Sequence, residues 1–544
     1  MTALLTDNLA LLTGAPNGIK KLRELILELA VRGKLVPQVP SDEPASELLK
    51  RVADEKARLV AEGKIKKQKP LAKTLEADKP FDVPTGWEWT HLGELGLVGS
   101  SSRVHQKDWQ SSGVPFYRAR EIVKLSKNGF FENELFISEK MYQELSNGGS
   151  APKAGDIMLT GVGTIGVPYR VQETDRFYFK DASVLIFRNY LDDNSNYLLK
   201  YFVSPLWIDT IHTESMGTTV HTLTIARANE TLCPLPPLTE QRRIVAKIDE
   251  LMALCDRLEA QQTDAESAHA QLVQALLDSL TQASHATDFA TNWQRLAKHF
   301  HTLFTTDPSI DALKQTLLQL AVMGKLVSRP TGIHSDSTSA ISQQPYALPQ
   351  NWLWCEFGST WESSFYGPRF GKEDYVASGG IPTIRTTDMS SGGLIEMRNP
   401  PQVQVPAKKL DLYKLRTGDL LVTRSGSIGT MALFLQDTLA IPSAYLIRIR
   451  FLPTIAPQFG LLYLRSPLGQ SLLGLNTTSV GVPNVSATKM ALFPLPLPPI
   501  DEQHRIVAKV DQLMALCDQL KKRLTQALQI NEQLASTLVE QAVA

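Results

Sequence analysis

The most chemically suggestive stretch of the sequence is a run of three spaced glycines between two strand-like segments. Gly161-Val-Gly163-Thr-Ile-Gly166 matches the G-x-G-x-x-G pattern of dinucleotide-binding turns. That function needs a helix directly after the third glycine, because the pyrophosphate binds at the helix N-terminus. Here Pro168 and Tyr169 follow, with more strand-like sequence. We therefore interpret the stretch as a glycine turn between strands.

A second short motif, Asn399-Pro-Pro-Gln402, is similar to the Asn-Pro-Pro-aromatic motif of adenine methyltransferases, whose aromatic ring stacks on a flipped base. Gln402 replaces the aromatic residue and no glycine-rich cofactor loop precedes it, so we interpret it as a loop. The sequence also lacks an ATP-binding G-x4-G-K-S/T loop, an H-E-x-x-H motif, a carboxylate–lysine nuclease set and histidines at metal-ligand spacing. These absences predict a binding and assembly protein with no catalytic residues, metal or cofactor of its own.

Side chains suited to reading base edges cluster before and after the glycine turns. Each one alone is also consistent with an ordinary surface or fold residue, so the prediction rests on the group. The candidates in the first half are Arg103, His105, Lys107, Tyr117, Arg118, Arg120 and the Thr218–Thr222 loop with His221 and Thr222. Those in the second half are Tyr366, Arg369, Lys372, Arg385, Thr386, Thr387, Arg424, Ser425 and the Val482-Pro-Asn484 loop with Asn484.

Two repeated stretches indicate which elements position these candidates. Residues 240–258 and 502–520 are identical at 15 of 19 positions, and each follows a proline-rich run. The phrase AVRGKLV at 30–36 returns as AVMGKLV at 321–327. The chain therefore contains two copies of one unit. Gly33 and Gly324 are expected at helix C-termini with positive φ.

The longer repeat is predicted to be helical, with apolar side chains at heptad spacing. Thr239 and Asp501 are placed to cap the two helix starts. We expect the first helix to continue through Leu272, Leu276 and Leu280, and the second through Leu528, Leu534 and Leu538. The two helices would pair as an antiparallel coiled coil, and the alternative is two separate amphipathic core helices. The seam residues are Ile244, Ile248, Leu251, Cys255 and Leu258, and Ile506, Val510, Leu513, Cys517 and Leu520.

Between the helical stretches, short β-rich segments and glycine turns keep the same order in both copies. The predicted fold class is α+β, with two mixed β-rich domains, long helices and an internal pseudo-twofold repeat. The predicted regions are an N-terminal helical region (1–80), a β-rich domain (81–237), a central helical region (238–328), a linker (329–348), a second β-rich domain (349–499) and a C-terminal helix (500–544).

Charge and cysteine content limit the possible partners. The whole chain has 56 basic and 56 acidic residues and gives no overall nucleic-acid signature. Residues 81–236 have 14 basic against 18 acidic residues, a net charge of −4, whereas residues 345–497 have 13 against 9, a net charge of +4. The four cysteines form no C-x-x-C pair and suit a reducing cytoplasm. The sequence contains no run of 18 apolar residues, so we predict no membrane insertion.

The repeated PLPPLTEQRRIVAKIDELM and PLPPIDEQHRIVAKVDQLM stretches resemble the conserved regions of type I restriction-modification specificity subunits. The ELAVRGKLVPQ phrase and the PxGWxW entry at Trp87 and Trp89 are similar to the same family, although Asn351 replaces the glycine in the second copy. The resemblance covers nearly the whole chain.

This resemblance implies two target-recognition domains, each reading half of a split site on double-stranded DNA. It also implies that two modification (methyltransferase) subunits dock on the helices, and that restriction subunits join that core. S-adenosylmethionine, ATP and magnesium would belong to those partners. Inserting a heptad into residues 258–276 should change the gap between half-sites and leave their sequences unchanged. The alternatives are a standalone DNA methyltransferase or nuclease, and a two-lobed scaffold that does not bind DNA.

Overall fold

A computed structural model describes residues 9–72, 74–213, 221–327, 344–390, 392–425, 428–475 and 484–543. The chain forms two compact units. The first consists of Met1–Asp264 with Leu528–Ala544, and the second of Ala265–Ala527. Each repeat contains one long helix, and the residues of each of these helices belong partly to the first unit and partly to the second.

The first half of the chain alternates short helices with short strands and ends in the first long helix. Its elements are α1 (Leu9–Gly14), α2 (Gly18–Val31), α3 (Ala45–Ala61), β1 (Glu88–His91), α4 (Leu92–Leu95), β2 (Gly96–Gly99), β3 (Val114–Tyr117), α5 (Ala119–Asn128), β4 (Phe136–Ile137), α6 (Glu139–Asn147), β5 (Ile157–Thr160), β6 (Pro168–Arg170), β7 (Tyr178–Phe179), β8 (Val184–Asn189), α7 (Ser195–Tyr201), α8 (Pro205–Thr213), α9 (Ile225–Glu230), β9 (Leu232–Leu235) and α10 (Leu238–Gln282).

The second half repeats this order with a different helical lead-in. Its elements are α11 (Ala286–Lys298), α12 (Phe300–Leu303), α13 (Asp307–Val322), β10 (Leu353–Glu356), β11 (Trp361–Tyr366), β12 (Tyr375–Val376), β13 (Ile381–Ile384), β14 (Gln402–Val403), α14 (Ala407–Tyr413), β15 (Asp419–Thr423), β16 (Met431–Phe434), β17 (Ile441–Pro442), β18 (Leu446–Phe451), α15 (Pro457–Arg465), α16 (Pro467–Leu475), α17 (Ala487–Ala491), β19 (Pro494–Leu497) and α18 (Ile500–Val543).

The sheets of the two units share one strand order, except that β12 adds an edge strand in the second unit. In the first, β2-β8-β5-β6 form an antiparallel sheet, β4-β3-β7 form a second sheet, and β1 pairs with β9. In the second, the orders are β11-β18-β15-β16, β12-β14-β13-β17 and β10-β19. The middle strands β5 and β15 are buried along their whole length. This confirms the predicted α+β fold class with two sheet-rich domains and long helices.

The core of the first unit joins three separate parts of the chain. Leu25 of α2, Ile248 and Leu251 from the beginning of α10, and Ala535 and Ala542 from the end of α18 belong to one buried apolar cluster. The seam of α10 is therefore covered by α2 as well as by the other long helix. The heptad pattern predicts the other long helix as its partner and gives no sign of α2.

The second unit repeats this arrangement with the roles of the long helices exchanged. Ile506 and Val510, at the beginning of α18, are buried in one cluster with Val322 of α13. Cys517 of α18 is buried with Leu277 from the end of α10. In each unit, the beginning of one long helix and the end of the other contribute to the buried core, as the antiparallel prediction requires.

The predicted continuation of both long helices is confirmed, since α10 reaches Gln282 and α18 reaches Val543, but three of the leucines named for it do not lie on the buried face. Leu272, Leu528 and Leu534 are 53%, 39% and 47% exposed, whereas Val273 and Ala535 are buried. A straight α-helix has 3.6 residues per turn, so an apolar stripe read at 3.5 drifts around the helix over several turns. Among the other seam residues, Leu258, Leu513 and Leu520 are half-buried at the cluster edges.

Of the ion pairs between equivalent helices, one keeps its charges in both units, since Lys314 binds Asp518 as Arg23 binds Asp256, and another inverts them. Arg23 of α2 binds Asp256 at 2.6 Å and Glu259 at 2.7 Å. The position equivalent to Glu259 is Lys521, which binds Asp311 of α13 at 3.0 Å. Such exposed pairs add little stability, but like charges would meet if α2 and α13 exchanged partners. The inversion therefore favours the observed pairing of helices.

The lysine of the repeated GKLV phrase binds the C-terminal end of a long helix. Lys325 Nζ donates to the carbonyls of Thr281 at 2.6 Å and Ala283 at 2.9 Å, where α10 ends. Lys34 Nζ donates to the carbonyl of Val543, the last residue of α18, at 2.7 Å. A cation is stabilised there by the helix dipole and by the unpaired carbonyls. The lysine thus supplies the C-terminal cap.

We expect Lys325→Met to weaken the end of α10 by about 1–2 kcal/mol, because Lys325 is partly buried and binds two carbonyls. Lys34→Met, at an exposed site, should weaken the end of α18 by about 0.3–1 kcal/mol. Hydrogen–deuterium exchange of the full chain measures both effects at the last turns of the helices. Unchanged protection at residues 276–282 in Lys325→Met would contradict the capping role.

The helix starts differ from the expected capping. The first helical residues are Leu238 and Ile500, so Thr239 and Asp501 lie within the first turn and Pro237 and Pro499 precede the helices. Proline has φ fixed at about −65° and provides no side-chain cap. The expected positive φ is confirmed at Gly33 and Gly324, with values of 68° and 67°.

The four cysteines are free and buried, and burial raises the pKa of the Cys233 and Cys355 thiols. Cys255 and Cys517 lie among the buried apolar side chains of the long helices. Across the described ranges, no helix carries an apolar segment of the length that a lipid bilayer requires.

Candidate nucleic-acid interface

The glycine turn of the first domain pairs with the loop that precedes α9. The turn lies between β5 and β6, and Gly163 and Gly166 have φ of 79° and 75°, which confirms the turn interpretation. Leu223 N donates to Gly161 O at 2.8 Å, and Gly163 N donates to His221 O at 3.2 Å. His221 and Thr222 are therefore held against this turn. Residues 218–220 of the predicted loop lie outside the described residues.

The second domain builds the same junction from different side chains. Val485 N donates to Arg424 O at 2.9 Å, and Ser425 forms an isolated β-bridge with Asn484. The structure thus brings Asn484 next to Arg424 and Ser425, which lie about sixty residues earlier in the sequence. Residues 482–483 of the predicted loop lie outside the described residues.

A second pair of equivalent basic residues lies at a short helical turn in each domain. Arg103 and Lys107 are exposed around the 3₁₀ turn Gln106–Asp108, and His105 beside them is exposed as well. Arg369 and Lys372 are exposed around the equivalent turn Lys372–Asp374. Arg369 also lines the cleft that contains Arg424. These side chains are accessible to a polyanion, and their contact with DNA stays a prediction.

The arginines after β3 and β13 are held by buried carboxylates. Arg118 binds Glu121 through Nε at 3.1 Å and Nη2 at 2.9 Å, and Arg385 binds Asp388 at 3.1 and 3.0 Å in the same way. Arg120 binds Glu121 and, at 2.8 Å, Glu134. One edge of each guanidinium is therefore already hydrogen-bonded to a carboxylate. These arginines help to position the chain segments around them.

The remaining candidates lie beside these arginines. Tyr117 packs on Phe131 and Phe177, and burial raises the pKa of its hydroxyl to about 12. Its ring is thus part of the packing of the domain. Thr386 is half-buried and Thr387 is exposed in the 3₁₀ turn after β13.

A cleft of about 480 Å³ opens between the loops of the second domain. Its described lining contains no acidic side chain and combines basic, polar and aromatic residues, which suits a nucleic acid. Tyr445 and Tyr375, which are 65% and 47% exposed, were missed by the sequence analysis. The signal was available for Tyr445, because the alignment of the two copies places it opposite Ser183, directly before a buried strand. The lining residues are Pro368, Arg369, Phe370, Tyr375, Thr383, Arg424, Ser425, Ser443, Ala444, Tyr445 and Asn484.

The Asn399-Pro-Pro-Gln402 motif lies partly in a loop and partly in a strand. Asn399 has a positive φ of 51° in a loop, as predicted, but Gln402 begins β14 and its Oε1 accepts a hydrogen bond from Gly380 N at 3.0 Å. The side chain of Gln402 therefore binds the backbone of its own domain. Over the part of the chain that the structure describes, no three His, Cys, Asp or Glu side chains are grouped to hold a metal ion.

Comparisons with known proteins agree with this architecture. The family model of the type I restriction modification DNA specificity domain matches residues 84–266 and 362–529. The chain is 33% identical to the type I restriction enzyme EcoAI specificity subunit of Escherichia coli over 587 aligned positions, which cover 97% of this chain and 94% of that subunit. It is 34% identical to the EcoEI specificity subunit of the same species, with the same coverage.

A solved chain supports the fold. It comes from work on complex assembly and conformational transition of the type I R-M system, with a TM-score of 0.50 and 19% identity, and it covers 85% of this chain and 99% of its own. The family match covers more than half of the sequence and falls once on each repeat. The chain therefore belongs to the specificity subunits of type I restriction-modification systems, with two tandem DNA specificity domains.

Proposed function

We propose that each β-rich domain reads one half of a bipartite, asymmetric DNA site. The observation that carries this proposal is the pair of equivalent turn–loop junctions. They have the same backbone pairing in both domains, but one presents His221 and Thr222 and the other Arg424, Ser425 and Asn484. Base pairs differ in the donors and acceptors that they display in the major groove. Different side chains on the same frame should therefore select different half-sites.

The roles that we propose for the regions of the chain follow the repeats. Residues 81–237 and 349–499 would be the target-recognition domains, joined through the linker at 329–348. The helical regions 1–80, 238–328 and 500–544 would dock two modification subunits, and restriction subunits would join that core. Exposed apolar side chains at Leu272, Leu528, Ile530 and Leu534 provide contact area on the long helices. S-adenosylmethionine, ATP and magnesium would act on the partner subunits, in the cytoplasm.

Methylation mapping in cells tests this function. In cells that contain the modification subunit of the system, we expect a methylated bipartite motif when this chain is present and none when it is absent. Thr222→Val should change one half of the motif and Asn484→Ala the other half, because each alters one junction. Arg51→Ala, an exposed arginine on α3, is the matched control and should leave the motif unchanged.

The outcomes separate this proposal from the alternatives. Unchanged methylation with and without the chain would favour a scaffold that does not select DNA. Modification or cleavage of DNA by the purified chain alone, with methyl donor, ATP and magnesium, would favour a standalone enzyme. Changes in the same half of the motif for both variants would contradict one half-site per domain.

A further inference from the structure

The side chain of Arg424 lies stacked on an aromatic ring in the cleft of the second domain. Its Cζ lies 4.8 Å from the centroid of the Tyr366 ring. Its backbone is fixed on both sides, since its N–H donates to Tyr445 O at 2.9 Å and its carbonyl accepts from Val485 N at 2.9 Å. A guanidinium on an aromatic face gains cation–π energy and loses rotational freedom.

The supporting ring is itself held at both ends. Tyr366 is the last residue of β11, which pairs with β18. Its hydroxyl accepts a hydrogen bond from Ala487 N at 2.9 Å, at the beginning of α17. The ring therefore forms a rigid platform, and the guanidinium on it is preorganised before any ligand binds.

Among the described residues, no side chain accepts a hydrogen bond from the guanidinium of Arg424, unlike those of Arg118 and Arg385. Within the described residues, its guanidinium forms no ion pair, and none of the residues lining the cleft is acidic. Stacking occupies the face of the guanidinium and leaves its edge free. A free planar fork of N–H donors fits the O6 and N7 acceptors of guanine, the commonest specific contact in the major groove.

The first domain has the same backbone at this position without the side chains. Gly161 N donates to Ser183 O at 2.7 Å, and Gly161 O accepts from Leu223 N at 2.8 Å, as at Arg424. The strand equivalent to β11 is β2, and the residue opposite Tyr366 in the aligned repeats is Ser100. Both the reading side chain and its platform are thus replaced by small residues.

We propose that Arg424, stacked on Tyr366, is a specificity-determining residue that selects a guanine in the half-site of the second domain. The first domain reads no base from the equivalent position. This inference rests on the proposed function and adds to it the identity of one base and the residue that reads it. Tyr366 is a positioning residue, which acts only through the orientation of the guanidinium.

Selection from randomised DNA duplexes by the full chain, in complex with its modification subunit, tests this inference. Arg424→Ala should reduce the preference for guanine at one position of one half-site by about 10- to 100-fold, with the other positions unchanged. Arg424→Lys keeps the charge but not the planar fork, so it should also relax that position. Tyr366→Leu should relax the same position less strongly, whereas Tyr366→Phe, which keeps the ring, should retain most of the preference.

The matched control is Arg398→Ala, because Arg398 is an exposed arginine of the same domain whose side chain binds Glu396. It should select the wild-type motif. An equal loss of binding to all sequences in Arg424→Ala would identify a phosphate contact and overturn the inference, as would full retention of the guanine preference in Arg424→Lys. A wild-type motif without a G·C pair would overturn it and leave the proposed function intact. A wild-type complex that selects no motif would overturn both.

Discussion

Asp419→Asn is expected to destabilise the second domain by about 3–5 kcal/mol, because it leaves a buried arginine without its counter-charge. Asp419 binds Arg450 bidentately, with distances of 2.8 Å from Nε and 2.7 Å from Nη2. The two side chains are 1% and 10% exposed. Arg448 is buried beside this pair, and burial followed by repulsion from Arg450 lowers its pKa. Asp419 thus compensates a locally positive interior.

The first domain provides the matched variant. Its equivalent pair, Asp156 and Arg188, is joined at 3.2 Å with side chains that are 11% and 28% exposed. We expect Asp156→Asn to cost about 1–2 kcal/mol, since water can solvate the remaining arginine. Hydrogen–deuterium exchange of β15 and β18, compared with β5 and β8, measures each effect in the full chain. Equal losses of protection in the two domains would show that burial of the pair does not determine its contribution.

Trp207→Ala is expected to destabilise the first domain by about 3–5 kcal/mol, the usual cost of removing a large buried ring. Trp207 is fully buried on α8, and its ring lies 4.9 Å from Phe202 and 5.7 Å from Tyr201. Its Nε1 donates to Gly166 O at 3.0 Å. The variant would therefore leave a cavity and an unpaired carbonyl at the end of the glycine turn.

The neighbouring residue on the same helix is the control. Ile208 is 43% exposed, so Ile208→Ala should cost less than about 1 kcal/mol. The comparison is made by thermal unfolding and by hydrogen exchange at β5 and β6. The equivalent of Trp207 in the second domain is Gly469, so the second domain has no large ring at this position. If both variants unfold at the same temperature, the ring is not part of the support of the turn.

The sequence predicted the features that depend on local patterns. The apolar period of residues 244–258 predicted a helix, and the glycine at 33 predicted the helix end, since both signals lie within a few turns of chain. The repeated phrases predicted two domains of one topology. The grouping of Ser425 with Asn484 was anticipated only as a cluster of loops, because their contact depends on how the loops fold together.

The features that were missed depend on contacts between distant residues. Nothing near Lys325 in the sequence indicates that its amine binds the carbonyl of Thr281. Arg385 and Arg424 look alike as loop arginines, yet one is bound to a buried aspartate and the other lies on a tyrosine ring. Leu272 lies in the predicted helix but is exposed, because an apolar stripe counted in heptads drifts around a long helix.

The first unit is discontinuous in sequence, and this has a consequence for biosynthesis. Its core contains Ala535 and Ala542, which the ribosome adds only after the entire second unit. At about 5–20 residues per second, the early part of this unit waits roughly 10–50 s for its missing helix end. During that time Leu25 and Ile248 lack part of their cover, and the nascent chain exposes apolar surface to chaperones. The second unit, a single continuous segment, can complete its core first, so the order of folding is expected to reverse the order of translation.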